Sequence, residues 1–115
     1  MRYFMTEQQR KHTHSTCYHE FFQGSWDMDR DGFWNDNSLM IHDDIFCRIR
    51  LDSLLAEVNS KYDYFGETTL TQDQWEYVVA QARDIGGELW DAILEISPWA
   101  TNCYKDHSVI TVLGL

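Results

Sequence analysis

Three groups of residues in this sequence have types and spacings that chemistry can use. The first is Asp27-Met28-Asp29-Arg30-Asp31-Gly32, which reads DxDxDG. Alternate aspartates converge on a hard cation such as calcium, while the glycine permits the sharp turn. Continued as an EF-hand loop, Phe33 would give a carbonyl, Asn35 the ninth position and Ser38 the twelfth. The twelfth position calls for a bidentate glutamate, so serine there removes two ligand oxygens. The upstream flank holds Gly24-Ser25 and β-forming residues rather than an incoming helix. An acidic β-turn is the stronger expectation, and a small calcium-binding module is the alternative.

The second group is His12, His14 and His19 near Cys17, with Cys103 four residues before His107. A structural zinc site needs two clear ligand pairs, usually CxxC or HxxxH, and this spacing is irregular. No zinc is expected. Catalytic signatures are also missing: there is no glycine-rich phosphate loop, no GxSxG and no HExxH. Cys47 falls on an apolar helical stripe, where a free cysteine usually packs. The expectation is a protein that is not an enzyme and needs no cofactor.

The third group is a stripe of carboxylates. At 100° per residue from Trp75, the residues Asp73, Tyr77, Asp84, Glu88, Asp91 and Glu95 fall opposite the apolar side. Exposed helices usually interleave Lys with Glu at i,i+4, and like charges at that spacing cost a few tenths of a kcal/mol per pair. A cationic ligand would offset that cost, whereas a solvated face in an acidic protein would need no ligand.

These residues must be held by elements the pattern also predicts. Arg2–Met5 and Thr16–Phe22 are expected strands, with Thr6–Ser15 a polar loop between them. Asp31-Gly32 is a hairpin-turn dipeptide, so Phe33-Trp34 should begin a returning strand. Leu39–Ile41 is another short strand. Asp43 or Asp44 caps a helix over about 44–61, carried by Cys47, Leu51, Leu54, Leu55, Val58 and Tyr62. Phe46 and Ile49 fall off that stripe, which leaves open a start nearer Asp52. After a strand at Thr68–Leu70, Thr71-Gln72-Asp73-Gln74 forms a capping box. The helix it opens is interrupted at Gly86-Gly87, as one kinked helix or two abutting ones, and Ser97-Pro98 ends it. Val109-Ile110-Thr111-Val112 is a buried strand. The class is α+β, a small antiparallel or mixed sheet with two to three helices packed on it.

At 115 residues the chain is a single domain, 1–115, with enough length to bury a core. No apolar run approaches the ~20 residues of a membrane span. Glu7 precedes any apolar stretch, so no secretory signal is expected. Cys17, Cys47 and Cys103 are odd in number, which fits a reduced cytoplasmic protein. Net charge is −10, which argues against direct nucleic-acid binding because phosphates require cations. The charge is concentrated: residues 27–44 hold six aspartates against Arg30, and residues 63–95 hold eight acids against Arg83. Such blocks either keep the protein soluble or complement a basic partner.

Phe46–Ala82 contains an acid-capped helix, then Tyr62-Asp63-Tyr64-Phe65-Gly66-Glu67, then Thr71-Gln72-Asp73-Gln74-Trp75 opening a second helix. This stretch resembles the small cytoplasmic immunity proteins of bacterial contact-dependent growth inhibition and related polymorphic toxin systems. The resemblance implies a protein that binds and occludes one cognate toxin C-terminal domain, 1:1. Such toxins are commonly nucleases (RNase, tRNase or DNase) with basic clefts. The DxDxDG turn departs from that family, and no functional residue carries over by position. Contact residues are therefore expected from charge and aromatic character, in one of two sets. One is Asp73, Tyr77, Asp84, Glu88 and Asp91 on the helix; the other is Trp34 with Asp27, Asp29, Asp31 and Asp36 on the hairpin. A nucleic-acid-mimicking inhibitor of another enzyme would share these acidic faces.

Overall fold

Thr6 and Thr71 open helices in the same way in the computed structural model, which describes all 115 residues. Each threonine hydroxyl accepts the backbone N–H three residues on, from Gln9 or Gln74, and that glutamine's side chain accepts the threonine N–H. The box at Thr71 is the expected one and opens α4 (Gln72–Ile85). The box at Thr6 turns the expected loop into α1 (Glu7–Thr13). In place of an apolar stripe, α1 buries the ion pair Glu7–Arg10, which is why periodicity does not reveal it.

Five strands form one sheet: β1 (Phe4–Met5), β2 (Tyr18–Gln23), β3 (Leu39–His42), β4 (Glu67–Thr71) and β5 (Val109–Leu113). Their order is β1-β3-β2-β5-β4, and every neighbouring pair is antiparallel. Side chains alternate across the pleat. Phe4, Phe21, Ile41, Leu70, Ile110 and Val112 face a core shared with the helices that follow β3. On the opposite face Met40, Glu20, Leu113 and Glu67 stand directly across from one another in a single row.

Four helices cover the core face: α2 (Asp43–Arg48), α3 (Leu51–Val58), α4 and α5 (Gly87–Asp106). The α+β class is as expected, but five helices replace two or three. The helix expected over 44–61 is broken by Arg50, whose φ of 65° lies in the left-handed region. The turn there lets Phe46 and Ile49 enter the core although neither fits the downstream stripe. The cap of α2 is His42, whose Nδ1 accepts the Asp44 N–H at 3.0 Å; Asp43 and Asp44 lie in the first turn. Gly86 (φ 75°) separates α4 from α5, so the two helices abut. Pro98 does not end α5. It removes one N–H, while the Ser97 hydroxyl donates to the Ile93 carbonyl at 2.6 Å, and Ala100 and Cys103 keep the buried face going.

The expected hairpin at Asp31-Gly32 is also replaced. Residues 24–38 form no ladder, so Phe33-Trp34 is not a strand. Asp31 and Gly32 donate to the carbonyls of Asp27 and Met28, one irregular helical turn, and the chain rejoins the sheet only at Leu39. This long connection lies over the outer face of the sheet together with α1, where Arg10 packs on the Trp34 ring. No helix is long and apolar enough to cross a membrane.

Candidate functional site

The carboxylate stripe divides at Gly86. Asp73, Tyr77 and Asp84 belong to α4, and Glu88, Asp91 and Glu95 to α5. Several members already have partners within the chain. The Tyr77 hydroxyl donates to Glu57 at 3.1 Å. Glu88 accepts from Arg48 at 3.1 Å and from the Tyr3 hydroxyl at 3.4 Å. Glu95 accepts the backbone N–H groups of Arg2, Tyr3 and Phe4 at 2.8, 2.9 and 2.8 Å, clamping β1 to α5. Asp73, Asp84 and Asp91 are the exposed remainder. The groove between α4 and α5 also carries Arg83 and Lys105, so that flank presents both signs of charge.

The second set is built differently. Asp27 Oδ1 accepts the N–H groups of Asp29 and Arg30, and Asp31 accepts the Asp27 N–H and the Arg30 guanidinium. The Arg30 hydrogen bond holds the Asp31 carboxyl below its ordinary range. These two aspartates close the loop on itself rather than converging on a common centre, and no three His, Cys, Asp or Glu side chains come together as ligands. Asp29 and Asp36 are exposed.

Trp34 sits at φ 66°, a conformation that costs a bulky residue about 1–2 kcal/mol. The carboxylate of Glu20 holds it there. One oxygen accepts the Trp34 N–H at 2.8 Å; the other accepts the Asn35 N–H at 2.9 Å, the Asn35 amide at 3.0 Å and the Ser38 hydroxyl at 2.6 Å. Trp26 is fixed by its indole N–H donating to the Gly32 carbonyl at 2.7 Å, with Phe33 packed 5.2 Å away. These rings wall a cleft of about 510 Å³ on the outer face of the sheet. Tyr18, Glu20 and Leu113 lie at its base, Met28 and Phe65 at its rim, and Glu67 on the β4 side. Phe65 is 74% exposed. No Lys, Arg or His lines the cleft.

The structure therefore joins Trp34 and its acidic loop to residues the sequence did not single out: Glu20, Phe65, Glu67 and Leu113. The available signal was Glu20, a charge inside a strand otherwise made of aromatics and β-formers. Such a residue requires buried partners. Gly114 and Leu115 complete the wall, Gly114 donating to the Gly66 carbonyl at 2.7 Å and Leu115 to the Tyr64 carbonyl at 3.1 Å. A β-carbon on Gly114 would lie 2.0 Å from that Tyr64 oxygen, so only glycine fits.

A polar cluster stands on the other side of the sheet. Asp43 Oδ1 is bonded by His19 Nε2 at 2.8 Å, by the Tyr64 hydroxyl, and by Cys47 Sγ at 3.6 Å. Burial pushes the Asp43 carboxyl up, but the His19 and Tyr64 hydrogen bonds outweigh it and hold the group below its ordinary value. Burial lowers the His19 pKa, and Asp43 only partly counters this. A neutral imidazole donating to an ionised carboxylate follows. It leaves the buried Nδ1 of His19 without a hydrogen-bond partner. Burial raises the Cys47 thiol, which disfavours a thiolate nucleophile. The cluster ties β2, α2 and the 62–66 connection together.

Comparison with protein-family models, curated proteins and solved structures finds no match for the chain.

Proposed function

We propose that this protein is an immunity protein that binds a basic toxin domain, most simply a nuclease, and blocks it by 1:1 occlusion in the cytoplasm. The observation that carries the reading is the cation-free aromatic cleft bordered by the acidic 27–36 loop. Rigid aromatic anchors supply affinity once desolvated, and surrounding carboxylates speed encounter with a basic surface by about 10-fold to 10³-fold at low salt. Trp34, Asp27, Asp29, Asp31 and Asp36 are the favoured contact set. The cleft beside Trp34 is lined by no Lys, Arg or His, and Asp29 and Asp36 stand exposed on the loop that Asp27 and Asp31 close, whereas on the helical set Tyr77 is held by Glu57 and Glu88 already has Arg48 as its cation. Inhibition of this kind requires neither catalysis nor a cofactor.

The test is genetic and biochemical. The gene immediately upstream should encode a large secreted protein with a variable C-terminal toxin end. That end should co-purify with this chain at one to one, with association slowed by salt. Absence of such a neighbour, together with intact protection after charge reversal on both acidic sets, would sink the reading.

A further inference from the structure

Glu20 has an unusual position. It is 1% exposed, and all four hydrogen bonds to its carboxylate come from neutral donors. None of the fold's ion pairs includes it. Arg10, whose charge is felt at Glu20, gives its guanidinium to Glu7 and to the Ser15 carbonyl. A carboxylate outside every ion pair therefore sits under an open aromatic cleft. Glu67 stands on the same sheet face, across Leu113, at two strand spacings or about 10 Å from Glu20 between Cα atoms. Trp26, Phe33, Trp34 and Phe65 line the cleft, and aromatic rings attract cations. The Arg10 guanidinium already lies 4.2 Å from the centroid of the Trp34 ring, so a cation on these aromatics is an arrangement the fold uses once.

We propose that the cleft is a seat for one arginine side chain presented by the partner. A guanidinium suits it better than an ammonium because it is planar, weakly hydrated and able to stack while reaching a carboxylate. The identity of the partner rests on the immunity reading, but the seat is a property of this chain alone. The two ideas therefore fail separately.

The experiment titrates the full chain with acetyl-arginine methylamide, then with the neutral acetyl-norleucine methylamide, following the five tryptophan indole N–H resonances. Saturable shifts at Trp26 and Trp34, with Trp75, Trp90 and Trp99 unmoved, are expected. The arginine probe should bind at least about fivefold more tightly than norleucine, as a cation–aromatic contact supplies. Glu67→Gln, at an exposed position, should reduce that preference without changing the spectrum of the free protein. Equal binding of both probes would overturn the seat in favour of a merely apolar groove. Shifts spread over all five indoles, or none with arginine, would overturn it as well. Co-purification with a toxin after such a failure would leave the immunity reading standing. Arginine binding without any toxin partner would leave only the seat.

Discussion

Glu20 does structural work before any partner arrives. Its two oxygens face only donors, so an amide in its place must turn an NH2 group toward another N–H or hydroxyl. Glu20→Gln should therefore lower stability by about 1–3 kcal/mol, the cost of a buried donor left unmatched. The shift is readable as a lower urea midpoint at unchanged slope. It should also release Trp34 from its left-handed conformation and change its indole resonance; an unchanged resonance would show that other contacts fix the ring. His19 gives a second prediction at this scale. Asp43 and Asp52 favour its charged form and His42 opposes it, yet burial prevails and the folded pKa lies below the ordinary 6.5. The unfolded chain then binds more protons below pH 6.5, so stability is full above that value and falls as pH drops toward the folded pKa. Asp43, also depressed, adds a further decline below its ordinary 3.8. Denaturation at about pH 7.5 and about pH 5.5 should show the first decline, reduced in slope in His19→Asn. A wild-type stability that is flat between those values would contradict it.

At the scale of elements, β1 is the test of how a short edge strand survives. It has two residues and pairs with β3 only at Phe4↔Ile41 and Met5↔Met40. Glu95 supplies the missing grip by accepting three successive amides. Glu95→Ala should raise hydrogen exchange by about tenfold or more at residues 2–5, while amides of β2 and β5 keep their protection. Exchange unchanged at Phe4 would mean that packing of Tyr3 and Phe4 alone holds the strand. This clamp also shows where the sequence was legible. Elements that announce themselves locally were readable: the box at Thr71, the β-branched run at 109–112 and the break at Gly86. Elements set by distant partners were not. Thr6–Gln9 carries the same cap signature, but α1 buries an ion pair and lacks an apolar stripe. Arg50 is an unremarkable residue in a good helical pattern, and its left-handed turn is imposed by packing on either side. Asp31-Gly32 carries a hairpin signal, but long-range bonds from Glu20 draw the connection over the sheet instead. The cleft was legible only in Trp34 and its acids; Leu113 and Glu67 reach it through register, which pairs residues far apart in sequence.

For the whole molecule, a net charge of −10 overstates what is free to meet a partner. Glu7, Glu20, Asp27, Asp31, Asp43 and Glu95 all serve internal bonds. The same commitment bears on calcium. To ligate it, Asp27 and Asp31 must abandon the amides and the guanidinium that close their loop, and Asp29 would be the sole aspartate of the motif free to begin with. A site with a millimolar dissociation constant would gain about 1.4 kcal/mol at tenfold that concentration of calcium, by the linkage relation. For a domain of this size that is a rise in Tm of several degrees, well above the error of a thermal scan. We expect about 10 mM calcium, compared with the same concentration of magnesium, to leave the Tm unchanged. A calcium-specific rise, abolished by Asp29→Asn, would mean that the loop rearranges at low cost and would restore the calcium-module alternative.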